Sequence, residues 1–340
     1  MSMPKFRKIW YVSGAAVVLI IIAELAGRAL GLGKLLLFEA SDEYGYRIKP
    51  NQNINRFGKH VFINEEGLRS RPFKSRPEKG LIRILCLGDS LTNGGERIDQ
   101  ARTYPYILEE ALKREGVKSE VLNASASGWS LENEAAYIKK HGIYKSNIVV
   151  LLMTSQDLIE KPAVKEAVNR CGGFPSKSDN FALAEIVREI YGKYYCKGSH
   201  NNEMALNEEA ARSILIEKAA RRGIKLNAIG KSVSDAETEY LIKNGAQSLR
   251  DVADLVERDG AKLFIMFLEL PRKKLDPGLF EYCMQQISKT LKGSKAVFID
   301  ITENVKKAGW DNLFYDGIHP NISGNSVIAD EAARVIMAGR

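Results

Sequence analysis

The chain has 340 residues, 45% hydrophobic and 27% charged, enough to bury one sizeable core or one core with a small appendage. Its net charge is +8, but Lys and Arg are scattered among Asp and Glu, which reads as a solvated mixed-charge surface rather than a polyanion footprint. Zinc-finger, RNP, helix-turn-helix, P-loop and G-x-G-x-x-G patterns are absent, and none of Cys86, Cys171, Cys196 and Cys283 forms a C-x-x-C pair, which argues against nucleic-acid, nucleotide and metal-thiolate classes.

The N-terminus opens with Lys5, Arg7 and Lys8, followed by an apolar run from Ile9 to Ala23. With Leu25 and Ala26 the run reaches 18 residues, long enough to span a bilayer if Glu24 lies near the interface. Trp10 and Tyr11 sit where interfacial aromatics belong, and the leading basic residues favour a cytoplasmic N-terminus with export of the rest. A cleaved signal peptide is the rival reading, but the small residues near Ala23 to Gly27 form no clean A-x-A site. The expectation is a single-pass transmembrane anchor over residues 1–28 in the cytoplasmic membrane, with the remainder extracytoplasmic.

Residues 29–80 are rich in turn signals and read as a juxtamembrane segment outside the main core, with one short strand at Val61-Phe62-Ile63. A regular alternation then begins. Ile82 to Leu87 is a first strand, Tyr104 to Glu115 a helix, Glu120 to Asn123 a second strand, Leu131 to His141 a helix, and Ile148 to Met153 a third strand. Runs this uniformly apolar suit central parallel strands covered on both faces. A polar stretch at about 158–235, with several Pro and Gly residues, interrupts the pattern as an insertion that shapes the pocket. Cys171 and Cys196 lie in it and either pair in an oxidising compartment or remain free thiols. The alternation resumes with a helix from Asp235 to Asp259 and a strand from Lys262 to Leu268. A helix from Leu279 to Leu291, a strand from Ala296 to Ile299 and a last helix capped by Ser323 complete it. The fold expected for residues 81–340 is therefore α/β, three layers, with a mostly parallel five-stranded sheet of flavodoxin-like type.

The first strand runs into Gly88-Asp89-Ser90-Leu91-Thr92-Asn93-Gly94, and the carboxyl ends of parallel strands are where sites form. A serine there needs a base to become a nucleophile, and His is the usual one because its pKa lies near neutral. Of the four histidines, His60, His141 and His200 have ordinary settings. His319 differs: it stands in Tyr315-Asp316-Gly317-Ile318-His319-Pro320-Asn321, with Asp316 three residues earlier, close enough in one turn to fix the imidazole tautomer. Asp89 and Asp157 are additional carboxylates, read as structural ligands of loop amides.

These blocks together resemble the SGNH hydrolases, the GDSL esterases and lipases, over about residues 81–340. The resemblance implies Ser90 as nucleophile, His319 as general base and Asp316 as its orienting carboxylate. It also implies an oxyanion hole from the backbone amides of Ser90 and Gly128, the latter in Asn123-Ala124-Ser125-Ala126-Ser127-Gly128-Trp129-Ser130. The family's third block, Gly-x-Asn-Asp, appears here as Thr154-Ser155-Gln156-Asp157, so Gln156 replaces the amide donor with one a methylene longer. No metal and no organic cofactor is required.

Anchored members with a similar lead segment resemble proteins that modify envelope or secreted polysaccharides. The expected reaction is therefore removal of an O-acetyl or other short acyl group from an extracytoplasmic glycan, with a lipid ester as the second substrate class. Two alternatives are an O-acyltransferase on the same polymer and a catalytically weak SGNH-fold binding or assembly protein, the latter supported by Gln156. No nucleic-acid partner is expected.

Overall fold

The computed structural model describes residues 5–170, 174–179, 181–195, 235–270, 275 and 277–339. Cys171, Cys196 and His200 lie outside the described residues, and with them the question of a disulfide.

Five strands form the central sheet: β5 (Ile82–Gly88), β6 (Ser119–Ser125), β7 (Ile148–Met153), β8 (Lys262–Phe267) and β9 (Val297–Asp300). They follow, in the chain, β1 (Phe38–Ser41), β2 (Gly45–Ile48), β3 (Gln52–Arg56) and β4 (Lys59–Ile63). The spatial order is β6-β5-β7-β8-β9 and every pair is parallel, as with Leu85 beside Leu122 and Val149. This is the doubly wound arrangement that the alternation predicts.

Period-2 geometry explains why the strands read as continuous apolar runs. Ile84, Cys86, Val150, Leu152, Phe264 and Met266 enter one core. There they meet α3 (Tyr104–Arg114) and α9 (Ile322–Ala338), which pack against each other. The intervening Leu85, Leu87, Val149, Leu151, Ile265 and Phe267 enter the other. That face is covered by α4 (Leu131–His141), α6 (Asp235–Arg258) and α7 (Pro277–Leu291). Cys86 is fully buried, and burial pushes its thiol up to about 12, so it behaves as a small apolar group. The remaining helices are α1 (Lys5–Ala29), α2 (Ser90–Asn93), α5 (Ala182–Tyr195) and α8 (Thr302–Lys307).

The segment 29–80 corrects the expectation that it stands outside the core. It folds as two antiparallel hairpins, β1–β2 and β3–β4, and buries Phe38, Tyr44, Tyr46, Ile48, Val61 and Ile63 in the same core as β5 and β7. The cause is aromatic payload: Tyr44 packs edge-on against Trp129 and Tyr137, and Trp129 donates its ring N–H to the Tyr46 carbonyl at 2.7 Å. Turn residues dominate the segment's composition, so its few inward aromatics give no periodic signal.

A second correction concerns the last helix. Its N-cap is Asn321 and not Ser323, because the Asn321 side chain accepts from the amides of Ser323 and Gly324 at 2.9 and 3.1 Å. The interrupting stretch also contains a regular helix, α5, where only a polar insertion is expected.

α1 is the one described helix long and apolar enough to cross a membrane, or to be a signal sequence. Its apolar window is Trp10–Ala29, 20 residues with mean hydropathy 1.9, almost wholly unburied by the rest of the chain.

Candidate active site

β5 ends at Gly88, and the chain must turn at once into α2. A Cβ on Gly88 would stand 2.2 Å from the Thr92 hydroxyl, so only glycine permits this turn. Asp89 caps the short helix by accepting from the Leu91 amide at 2.8 Å. Ser90 therefore sits at the first helical position, where an amide N–H has no intrahelical acceptor.

The opposite wall comes from the turn before α9. Asp316 accepts from the amides of Ile318 and His319 at 3.0 and 2.9 Å, which closes the turn. Its other oxygen lies 2.8 Å from His319 Nδ1. With Nδ1–H donating to that carboxylate, Nε2 is the acceptor, and the Ser90 hydroxyl lies 3.1 Å from it. Burial draws the Asp316 carboxyl upward, but the His319 amide, the His319 ring and the Ile318 amide outweigh it and hold the group well below the usual carboxylate range.

Ser90, Asp316 and His319 share a cavity of about 380 Å³ with Glu96, Arg97, Ser127 and Tyr315 among its other lining residues. A cavity of about 450 Å³ between α4 and α6 holds none of the three. Chemistry rather than volume selects the former.

Gly128 and Gln156 do not line that cavity. Gly128 follows the lining residue Ser127 and has φ of +79°, a conformation that disfavours any side chain. Gln156 opens a short 3₁₀ turn, Gln156–Leu158, and its amide donates to the Thr154 hydroxyl at 3.2 Å. The structure thus brings Ser90 into contact with His319 and His319 into contact with Asp316, sets Gly128 beside the cavity and leaves Gln156 outside its lining.

Asp89 and Asp157 both bind loop amides: Asp157 accepts from Thr154 N at 2.6 Å. They also form, with Glu160, a carboxylate group whose oxygens lie within 4.8 Å of one another. Burial, then the Asp89 and Glu160 charges, push Asp157 well above the carboxylate range. Burial does the same to Glu134 on α4, with Asp157 adding to the effect.

Sequence reasoning misses two residues that shape this site. Arg69 is fully buried and donates to the carbonyls of Asn93, Gly95 and Ile98, each at 2.6 Å, so it pins the loop that follows Ser90. Burial pulls its guanidinium down to about 10. Tyr46 donates to the Ser127 carbonyl at 2.6 Å. A lone Arg and a lone Tyr in turn-rich sequence carry no spacing signal, although Tyr44-Gly45-Tyr46 is conspicuously aromatic for a linker.

No family model matches the chain, and no curated protein matches it. Among solved structures it is similar to TesA, at 16% identity and TM-score 0.45, covering 75% of this chain and 97% of that one. It is similar to the psychrotrophic esterase EstA from Pseudoalteromonas sp. at 15% identity and TM-score 0.41, over 75% and 97% of the two chains. It is also similar to Axe2, an acetylxylan esterase from Geobacillus stearothermophilus, at 13% identity and TM-score 0.42, over 74% and 93%.

Proposed function

We propose that this protein is a serine ester hydrolase of SGNH type that acts through an acyl-enzyme. The observation that carries the reading is the line of contacts Ser90 Oγ–His319 Nε2–Asp316 at the wall of one cavity. In the proposed reaction His319 Nε2 takes the Ser90 proton as Oγ bonds to the ester carbonyl carbon, and the carbonyl π pair moves onto oxygen. Collapse of that intermediate breaks the bond to the leaving alkoxide, which takes the proton from His319. Water then repeats the sequence on the acyl-enzyme and releases the acid and free Ser90. Backbone N–H groups of Ser90 and Gly128 are the proposed oxyanion donors. The side-chain amide of Gln156 is the third proposed donor, although Gln156, like Gly128, is not a lining residue of the cavity.

The proposed substrate is an O-acetyl or short acyl ester on an extracytoplasmic glycan, with α1 as a single-pass anchor in the cytoplasmic membrane. A cavity of about 380 Å³ has room for a short acyl group and part of a sugar. Transfer to a sugar hydroxyl instead of water uses the same acyl-enzyme. The test is p-nitrophenyl acetate hydrolysis by the protein and by Ser90→Ala. A rate that does not fall in the variant sinks the hydrolase reading. Labelling of wild type by a serine-directed phosphonate, with ester turnover only when a glycan acceptor is added, would favour transfer.

A further inference from the structure

Beyond the anchor, and apart from Tyr315, Ile322 and Met337 at the C-terminal end, the exposed large apolar side chains among the described residues lie at one place. Leu30, Phe57, Phe181, Val187, Ile190 and Tyr191 are all more than half exposed. Phe57 N donates to the Leu30 carbonyl at 2.8 Å, which places both where α1 ends. The other four belong to α5 or its N-terminal flank. Along α5, Ala182 and Glu185 face inward, while Val187, Ile190 and Tyr191 follow helical spacing on the outward side.

α5 is fastened to the end of α1. Glu24 accepts from the amides of Ala182 and Leu183 at 2.9 and 3.0 Å, so a residue of α1 caps the first turn of α5. A Cβ on Gly27 would stand 2.9 Å from the Ala182 Cβ, so the two backbones approach closely there. The Arg28 guanidinium lies over the Phe181 ring at 5.9 Å. Glu24 lies five residues before Ala29, about 7 Å along the axis from the helix end. An acid at that depth in an apolar span is tolerated only with partners, and α5 supplies two.

We infer that α5 lies in the headgroup interface of the leaflet where α1 ends, with Val187, Ile190 and Tyr191 turned toward the lipid. This rests on the reading of α1 as a membrane span. The occupant is lipid rather than a second protein because the apolar face is continuous with the span and joined to it through Glu24 and Gly27. Phe181 and Tyr191 are residue types at home at a bilayer surface, while the Arg28 charge is taken up by Glu24 at 2.6 Å.

The arrangement reaches the cavity. Glu185 of α5 pairs with Arg56, and Arg56 also pairs with Glu96 at 3.0 Å. Glu96 lines the cavity and accepts from the Leu36 amide at 2.6 Å. One guanidinium thus separates the membrane-contacting helix from the cavity wall, which holds the Ser90 cavity beside the bilayer and favours esters presented close to it.

The test uses the full chain in phosphatidylcholine/phosphatidylglycerol nanodiscs, in a Cys171→Ser, Cys196→Ser background. A nitrobenzoxadiazole label is placed at Ile190→Cys, at Val18→Cys in α1, or at the exposed Lys292→Cys as reference. Phosphonate labelling of Ser90 reports folding. Lipid carrying a nitroxide high on its acyl chain is expected to quench the Ile190 label about threefold more than the Lys292 label, with a deep nitroxide quenching Val18. Quenching at Val18 with none at Ile190 overturns the proposal and leaves the span standing. An Ile190 label that is shielded from water but unquenched means a protein covers the face, which also overturns it. No quenching at Val18 removes the span and the proposal together.

Discussion

The Tyr46 hydroxyl stands 2.6 Å from the Ser127 carbonyl it donates to, and 2.8 Å from where a Cβ on Gly128 would lie. Burial pushes the Tyr46 phenol far up, so it remains a donor at any working pH. A hairpin residue from outside the alternating α/β pattern thereby sets the path of the loop that carries a proposed oxyanion amide. Tyr46→Phe removes that bond, worth about 1 kcal/mol, and is expected to lower kcat by about fivefold with KM little changed.

Gly128→Ala adds a side chain at φ of +79° and drives it into the Tyr46 hydroxyl. The left-handed conformation alone costs about 1–2 kcal/mol, so thermal stability should fall by at least that. Adding Tyr46→Phe clears the overlap, and the double variant should lose less than the sum of the singles. Additive losses in denaturant melts would mean the two groups do not share that space.

Asp316→Asn keeps the shape of the turn but not the charge beside His319. Loss of kcat on the order of 10³-fold or more is expected, from the wrong imidazole tautomer. The pH dependence of stability has a defined sign. The Asp316 pKa is depressed in the folded state, so its contribution is complete above the ordinary Asp value of about 3.9 and is lost as pH falls through the folded value. The melting-temperature gap between wild type and Asp316→Asn should therefore narrow only below about pH 4.

Glu134 behaves in the opposite sense. Its Oε2 is buried with no hydrogen-bond partner among the described residues, and its pKa is raised in the folded state. Stability linked to it is present below the ordinary Glu value and is lost as pH rises through the folded one. Glu134→Gln should raise the melting temperature more at pH 8 than at pH 5, and an equal gain at both would contradict the assignment.

Arg69→Met leaves the carbonyls of Asn93, Gly95 and Ile98 without their common donor. Unsatisfied buried acceptors cost about 1–3 kcal/mol each, so a loss of about 3 kcal/mol or more is expected in urea melts. Ester turnover should fall as well, because the freed loop lines the cavity.

What the chain alone determined is what depends on local order. Strand and helix periodicity gave β5 to β9 and their helices nearly to the residue, since each element buries its own faces in one of two cores. The pairing of Asp316 with His319 was legible because both sit in one turn. The contact of Ser90 with His319, 229 residues apart, was only implied by motif order, and the geometry comes from two loops meeting above one sheet. The roles of Tyr46, Arg69 and α5 were decided by tertiary structure alone. Each acts across a long sequence separation on a backbone group or a neighbouring helix, and such contacts leave no periodic mark on the residues that make them.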